Sequence, residues 1–255
     1  MPRLIPCLLL NAKRGGLVKT MRFKDAKYVG DPINAVRIFN EKEVDELMVL
    51  DVDASPSAQA PDFELIEQLA SECFMPLCYG GGIRSFEDAK TLFALGVEKV
   101  ALQSAFLADP RILRQIADHA GEQAVVASID VSRDWLGRQR LYSASGRKLR
   151  SKDWRAAIRE AVDHGAGEIL LTSVEREGTL SGLDLTLVRE ASALVEVPLI
   201  ANGGVGSLDD VRAGVEAGAS AVAAGAFFVF YGPHRAVLIT YPRYEEVEAL
   251  WRAAG

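Results

Sequence analysis

The 255-residue sequence has few cysteines, few histidines and no long apolar run, and each shortage excludes a class of protein. Its three cysteines (Cys7, Cys73 and Cys78) form no CxxC pair, so we expect reduced, inert thiols rather than a redox centre. The three histidines form no cluster with cysteine or aspartate at the spacing of metal ligands. We therefore expect no metal and no other cofactor.

The sequence also lacks the signals of a membrane or secreted protein. No stretch approaches the ~20 apolar residues needed to span a bilayer. The apolar start at residues 4–10 is short and enters a charged loop, unlike a secretory signal peptide. The net charge of -6 argues against binding to nucleic acid or to an acidic membrane. We expect a cytoplasmic protein that contacts neither.

Short apolar segments alternate with amphipathic helical segments along the whole chain. Because each parallel strand needs a crossover, this alternation predicts a parallel sheet covered by helices, which is an α/β fold. Eight such units without a Pro/Gly/Ser-rich linker predict one (β/α)8 TIM barrel over residues 1–255 rather than two domains. The predicted strand segments are 3–10, 47–51, 76–79, 99–103, 124–130, 168–172, 198–202 and 220–225.

An internal repeat divides the predicted barrel into two halves. Residues 79–106 align without gaps with residues 201–228 at an offset of 122, and eight of the 28 positions are identical. Residues 44–53 align with residues 166–175 at the same offset. A period of half the chain predicts two half-barrels, at about 1–122 and 123–255. Ser85 and Ser207, which are equivalent in the repeat, are each followed by acidic residues and are predicted helix N-caps.

The repeated glycine pairs are candidate phosphate sites. Loops after the last two strands of such barrels commonly bind phosphate, because glycine lets backbone N–H groups approach an anion. One predicted site comprises Gly203, Gly204, Ala224 and Gly225, and the second comprises Gly81, Gly82 and Ser104. Two such sites across one barrel mouth suit a small molecule with a phosphate at each end. The alternative is that these glycines only form tight turns.

Several motifs together resemble the cyclase subunit (HisF type) of imidazole glycerol phosphate synthase. They include IPC near the start, DELMVLDVDAS, GGGIRS, SID and GAGEILLTS, and the match covers essentially the whole chain. The resemblance implies a barrel whose N-terminal face docks a glutaminase, a class I glutamine amidotransferase subunit. It also implies that ammonia from this partner reacts with a double-phosphate ribonucleotide, with two aspartates at opposing strand ends as acid and base.

On this resemblance, only one of the two aspartates is present. Asp130 matches one of them, whereas Leu9 stands where its partner is expected; the repeat offset of 122 instead relates Asp130 to Leu8. Asn11, Asp25 or a group of the substrate could compensate. An acid–base mechanism that lacks one carboxylate should be slowed by orders of magnitude.

Other residues of the active face follow from the same motifs. Gln103 replaces a family asparagine in the phosphate region, and Glu177 replaces an aspartate. His234 follows the last predicted strand, where substrate loops belong. The complete set of these further active-face residues is Lys19, Asp51, Gln103, Thr172, Glu177 and His234.

Two further stretches and the chain's tail look like a paralogue of this cyclase that is found with surface-polysaccharide genes. They are LLLNAKRGGLVKT, KYVGDPINAVRIFNEKEVDEL and FFVFYGPHRAVLITYP. That resemblance implies an ammonia conduit in a glutaminase-coupled complex, and it admits a third partner, an ATP-using enzyme that amidates a sugar. The alternatives are a working cyclase of histidine biosynthesis, and a phosphosugar isomerase that needs no ammonia.

Ammonia delivery would need a passage through the barrel floor. Arg3, Glu46, Lys99 and Glu168 open the first, second, fourth and sixth predicted strands, and they match the gate of the resembled family. Two positive and two negative groups would form a neutral ring, which makes buried charge tolerable. The alternative is that these charges are solvated on the barrel floor.

The segment from Arg133 to Lys152 carries seven basic residues and one acidic residue. It follows the fifth predicted strand on the catalytic face and contains a predicted hairpin. A solvated loop and a contact with an anionic substrate or partner are both open at this point.

Overall fold

The eight apolar segments form eight parallel strands that close into a barrel. The structure is a computed structural model that describes residues 2–11, 15–232 and 234–252. The strands are β1 (Arg3–Asn11), β2 (Leu47–Asp51), β3 (Leu77–Gly80), β4 (Lys99–Leu102), β5 (Val125–Arg133), β6 (Glu168–Ser173), β7 (Leu199–Asn202) and β8 (Ala221–Ala224). Each strand pairs in parallel with the next, and the β8–β1 pairing closes the ring. The predicted (β/α)8 barrel is therefore confirmed.

Helices follow the strands and cover the outside of the barrel. They are α1 (Pro32–Glu41), α2 (Phe63–Glu72), α3 (Phe86–Ala94), α4 (Arg111–Ala120), α5 (Trp154–Asp163), α6 (Leu185–Ser192), α7 (Leu208–Glu216) and α8 (Tyr244–Arg252). Short helices at Ser104–Ala108 and Ala226–Val229 follow β4 and β8, and a 3₁₀ turn spans Glu122–Ala124. Ser85 and Ser207 form reciprocal capping boxes with Asp88 and Asp210, which confirms the predicted N-caps. Among these described helices, none is long and apolar enough to cross a membrane.

The barrel has two apolar cores, one between the strands and the helices and one inside the ring of strands, and successive side chains of β1 face them in turn. Leu4, Leu8 and Leu10 pack with the cluster between strands and helices. Ile5, Cys7 and Leu9 point into the barrel, because successive strand residues face opposite sides. The remaining buried members of the interior cluster are Val18, Met48, Cys78, Ala101, Val126, Leu170, Ile200, Ala221 and Ala223. The interior between the two ends of the barrel is thus mainly apolar.

In the described part of the chain, three hairpins extend from the barrel strands. The first pairs Gly16–Met21 with Lys24–Gly30 and continues β1. The second, here called the β5 hairpin (residues 130–149), pairs the end of β5 with Gln139–Ser143, which in turn pairs with Lys148–Leu149. The third pairs Phe230–Tyr231 with Ala236–Val237. Only the second of these hairpins was predicted.

Strand register corrects the repeat offset in the first strand. Leu9 of β1 pairs with Leu50 of β2, and Asp130 of β5 pairs with Thr172 of β6. Because Leu50 and Thr172 are related by the offset of 122, the position equivalent to Asp130 is Leu9 at an offset of 121. The expectation of Leu8 from the repeat is therefore wrong, and that side chain packs against the helices. The division into half-barrels remains a proposal.

Candidate active site

The C-terminal ends of the strands surround a cavity of about 830 Å³. Active sites of (β/α)8 enzymes lie at this end of the barrel, which makes the cavity the candidate active site. Nine residues of its lining, all polar or glycine, belong to the site predicted from the sequence. They are Lys19, Asp51, Gly81, Gln103, Ser104, Asp130, Thr172, Glu177 and Gly225.

Asp130 is the buried carboxyl group at the centre of this chemistry. Its side chain is 7% exposed, and Oδ2 accepts a hydrogen bond from Gln103 Nε2 at 2.7 Å. Burial raises the pKa of Asp130 to about 7, against the hydrogen bonds from Gln103 and Thr172, which favour the carboxylate. A group with this pKa can give or take a proton near neutral pH.

Gln103 joins Asp130 to the β5 hairpin. Its Nε2 also lies 3.3 Å from the carbonyl oxygen of Tyr142, and its Oε1 accepts from the backbone N–H of Ala144 at 2.9 Å. Sequence reasoning assigned Gln103 to the phosphate region. The structure places it beside the carboxyl group as well, because the longer amide spans from the end of β4 to both neighbours.

The opposite side of the cavity, at β1, is apolar. Leu9 is 9% exposed, and it lines the cavity with Cys7 and Leu50. Burial raises the pKa of the Cys7 thiol to about 11, so this thiol is protonated at neutral pH. Asn11 and Asp25 also line the cavity, but Asp25 is exposed on the hairpin after β1. No described carboxyl group occupies the position equivalent to Asp130.

Lys19 and Glu177 connect the hairpin after β1 to the loop after β6. Lys19 is 4% exposed and donates from Nζ to the carbonyl oxygen of Cys7 at 2.8 Å; burial lowers its pKa, against the favourable charge of Glu177. Glu177 accepts from Thr20 Oγ1 at 2.9 Å and from the backbone N–H of Phe23 at 3.3 Å. Burial raises the pKa of Glu177. These contacts place the Lys19 amine inside the cavity.

Asp51 has a mainly structural set of contacts. Its Oδ1 accepts from the backbone N–H groups of Asp53 at 2.9 Å and Ala54 at 3.0 Å, which fixes the turn after β2. Burial raises its pKa.

On the other side of the barrel, Asn202 Nδ2 donates to Thr172 Oγ1 at 3.2 Å, so Thr172 is positioned between Asn202 and Asp130.

The two glycine loops occupy equivalent places at the mouth. A second recess of about 20 Å³ is lined by Gly203, Gly204, Ala224 and Gly225. A side chain at Gly225 would collide with Lys19 Nζ, so the lysine ammonium reaches this recess. On the opposite side, Gly81 and Ser104 line the main cavity, whereas Gly82 packs against the loop after β2.

Close packing alone accounts for glycine at Gly203. Its φ is +96°, and an added Cβ would lie 2.7 Å from the carbonyl oxygen of Ser173. At Gly81, with φ +112°, an added Cβ would lie even closer to the carbonyl oxygen of Asp51. Both positions require glycine with or without an anion, so phosphate binding there is a proposal.

At the N-terminal end of the barrel, the four predicted floor residues form a closed ring of ion pairs. Lys99 Nζ lies 3.0 Å from Glu46 Oε2 and 2.8 Å from Glu168 Oε2, and Arg3 contacts both carboxylates from the other side. Burial lowers the pKa of Lys99, but the hydrogen bonds that Lys99 donates to the carboxylates and the charges of Glu168 and Glu46 outweigh it, so the net shift is upward. The ring is neutral when all four groups are ionised.

Comparison with known proteins gives the family. The model of the histidine biosynthesis protein family matches residues 3–234. The chain belongs to this family. A Pseudomonas aeruginosa protein provisionally named imidazole glycerol phosphate synthase subunit hisF2 is 52% identical over 244 residues, covering 94% of this chain and 95% of the relative.

Two other relatives give the same assignment to the histidine biosynthesis family. A protein of Leptospira interrogans, provisionally named subunit HisF of that synthase, is 44% identical over 252 residues, which cover 98% of both chains. The imidazole glycerol phosphate synthase subunit HisF of Hyphomonas neptunium is 43% identical over 232 residues, covering 89% of this chain and 90% of the relative. The chain is HisF-like over nearly its whole length.

Within this histidine biosynthesis family member, the structure does not bring every predicted residue to the cavity. His234 is exposed in the turn between the last two short strands and does not line the cavity. Its position after β8 was the only basis for the prediction. Among the described residues, no group of three or more His, Cys, Asp or Glu side chains could hold a metal ion.

Some cavity residues were not predicted. Tyr142 and Ser145 come from the β5 hairpin, and Phe23 comes from the hairpin after β1. The rings of Phe23 and Tyr142 make an edge-to-face contact with centroids 5.8 Å apart, so the two hairpins meet over the mouth. The predicted hairpin after β5 was the one available signal for part of this roof.

Proposed function

We propose that this protein is the HisF-like subunit of a glutamine-dependent complex and conducts ammonia through its barrel. A glutaminase docks on the N-terminal face, ammonia passes the ring of Arg3, Glu46, Lys99 and Glu168, and it leaves at the mouth. The observation that carries the proposal is the combination of a complete charged ring with Leu9 in the position equivalent to Asp130. The residues expected to admit ammonia are present, whereas one of the two carboxylates expected for cyclization is absent.

The barrel interior supports this route. Side chains between the ring and the mouth, such as Ile5, Met48 and Ile200, are apolar and fully buried. An apolar passage favours neutral ammonia over ammonium, because moving an unpaired charge into it is costly. The ring separates this interior from solvent by four paired charges.

The finer proposal is that the ammonia serves amidation of a surface-polysaccharide sugar by a separate ATP-using enzyme. It is supported by the resemblance to the polysaccharide-associated paralogue and by the apolar β1 side of the cavity. A phosphorylated small molecule would bind at Gly203, Gly204 and Gly225, where Lys19 supplies positive charge, and more weakly near Gly81 and Ser104.

The second candidate is the cyclase subunit of imidazole glycerol phosphate synthase, which would form imidazole glycerol phosphate from ammonia and a double-phosphate ribonucleotide. The relatives' names favour it, and so does one structural observation: Asp130 keeps a pKa of about 7 at the cavity. Because Leu9 removes the expected second carboxylate, Asp130 would have to act with a substrate group or Asn11.

The test is reconstitution with the cognate class I glutaminase subunit. We expect the barrel to stimulate glutamate release, and we expect Asp130→Asn to leave that stimulation within about twofold, because Asp130 lies at the opposite end from the docking face. The matched comparison is Glu168→Gln, which breaks the ring and should change the coupling. No stimulation by the unmodified barrel would contradict the proposal.

A further inference from the structure

The tip of the β5 hairpin displays a tryptophan to solvent. Trp135 is 89% exposed and its neighbour Leu136 is 52% exposed. By contrast, Trp154 is fully buried in α5 and Trp251 is partly buried in α8. An indole ring is a large apolar surface, and tryptophan is enriched among the residues that dominate protein–protein binding.

The tip is held rigid by Asp134. Its Oδ1 accepts from the backbone N–H groups of Leu136 at 2.9 Å and Arg138 at 3.0 Å, and its Oδ2 accepts from Arg138 Nε at 2.9 Å and Arg140 Nε at 3.2 Å. The backbone N–H of Gly137 donates to the carbonyl oxygen of Asp134 at 2.8 Å. A side chain presented on a rigid turn loses little entropy when it binds, which favours a docking role.

The other end of the same hairpin is basic. Arg147, Lys148 and Arg150 are exposed, and none pairs with a carboxylate in the part of the chain that the structure describes. Arg133 and Lys152, in contrast, pair with Asp184 and Glu160. The whole chain has a net charge of -6, so this face differs in sign from the average surface. Such a patch steers association with acidic surfaces.

The hairpin stands at the cavity. Tyr142, Ala144, Ser145 and Arg147 line the cavity, while Trp135 lies at the far end of the same two-stranded element. A protein that binds the tip and the basic residues together would therefore cover the C-terminal mouth. This face is opposite the ring at which the glutaminase is proposed to dock.

We propose that the β5 hairpin docks a protein with an acidic surface and an apolar pocket that receives Trp135. The partner's position over the mouth identifies it as the enzyme that uses the ammonia; this identification rests on the proposed function, whereas the docking surface does not. A lipid surface fits less well, because one aromatic side chain stands at the tip and Arg138 and Arg140 are already held by Asp134. A protein pocket matches a single rigid anchor.

The first step of the test uses p-benzoylphenylalanine in place of Trp135 in the full chain, expressed in its native cells and irradiated. The matched control carries the same group in place of Tyr231, which is 65% exposed on a different hairpin. We expect an adduct with one acidic protein at position 135 and not at position 231. No adduct at 135, or an adduct only with lipid, nucleic acid or a second copy of this chain, overturns the proposal.

The second step uses the purified adduct partner. Trp135→Ala should weaken its binding by about tenfold or more, and Lys148→Glu with Arg150→Glu should weaken it and reduce its salt dependence. Unchanged affinity for Trp135→Ala overturns the proposal. Glutaminase stimulation by the same variants should equal that by the unmodified barrel. If the unmodified barrel does not stimulate the glutaminase, the proposed function fails. If the unmodified barrel does not bind the partner, or if Trp135→Ala binds it equally well, the docking surface fails.

Discussion

Asp130 and Leu9 occupy equivalent positions on β5 and β1, which lie opposite each other in an eight-stranded ring. A single carboxyl group with a pKa of about 7 can accept a proton or donate one. A two-group mechanism needs a partner in the complementary protonation state, and Leu9 has no ionisable atom. At these two equivalent positions, acid–base chemistry therefore depends on the carboxyl group of Asp130 and on whatever groups a ligand brings.

The pKa of Asp130 predicts a pH-dependent stability. The folded state binds this proton more tightly than the unfolded chain, because burial raises the pKa from about 4 to about 7. Asp130 therefore costs no stability below about pH 4, and its cost grows as pH rises to about 7 and then stays constant. Asp130→Asn should be more stable than the unmodified protein at pH 8, by up to about 4 kcal/mol, and equally stable near pH 4. Urea unfolding at both pH values measures this.

The contrary result would be equal stabilities at pH 8 and pH 4. Gln103 donates its hydrogen bond to an asparagine oxygen as well as to a carboxylate, so the variant keeps this contact. A comparison with Asp53→Asn, a partly buried acidic residue at the same end of the barrel, controls for a general charge effect.

At the residue scale, the sequence indicates which residues belong to the site more readily than it indicates their contacts. Asp130 was predicted from its motif and lies in the cavity. The contact between Gln103 and Asp130 was not predicted, because it joins strand ends 27 residues apart and depends on the conformation of the β5 hairpin. His234 was predicted only from its place after β8. That place does not determine how the turn is directed, and the side chain is exposed outside the cavity.

The strand starts act together as one structural unit. Glu46 and Glu168 are 2% and 5% exposed, and each contacts both Arg3 and Lys99. The ring was predicted mainly from the resemblance to the family. Even-numbered strands contribute to one layer of a barrel interior, which explains why Glu46, Lys99 and Glu168 lie at one level. The role of the ring in passing ammonia remains a proposal.

Removing one cation should destabilise the protein. Lys99→Met leaves Glu46 and Glu168 with Arg3 alone, so we expect a loss of about 2–3 kcal/mol in the free energy of unfolding, less than for a fully dry pair because water reaches the ring. Lys90→Met is the matched control, since Lys90 is exposed and lies 3.9 Å from Glu87; it should cost less than about 0.5 kcal/mol. Similar losses in both variants would show that the ring contributes no special stability.

Among the secondary-structure elements, the hairpin after β1 could not be predicted from the sequence pattern. Arg22 and Phe23, with φ of +53° and +60°, form the turn of the hairpin after β1. Turns of this kind usually carry asparagine or glycine, so the sequence gives no hairpin signal there. Contacts of Thr20 and Phe23 with Glu177 hold the unusual turn in place. The alternation of barrel strands, in contrast, was readable throughout.

At the scale of the molecule, the barrel has two different ends joined by an apolar interior. A paired ring of charge closes the N-terminal end, and a polar cavity with an apolar β1 side opens at the other. The fold could be predicted because each unit repeats a local pattern of strand, loop and helix. The single lost carboxylate changes none of those patterns, so the fold persists while the acid–base pair does not.

The most direct test of this account is a cyclization assay with ammonium salt and the double-phosphate ribonucleotide, without any partner. We predict no imidazole product above background from the unmodified protein. Leu9→Asp should not by itself give strong cyclase activity, because Gln103 also departs from the family pattern. Robust product formation by the unmodified protein, reduced about 10²-fold or more by Asp130→Asn, as the loss of a general acid or base typically does, would contradict it and establish a working cyclase.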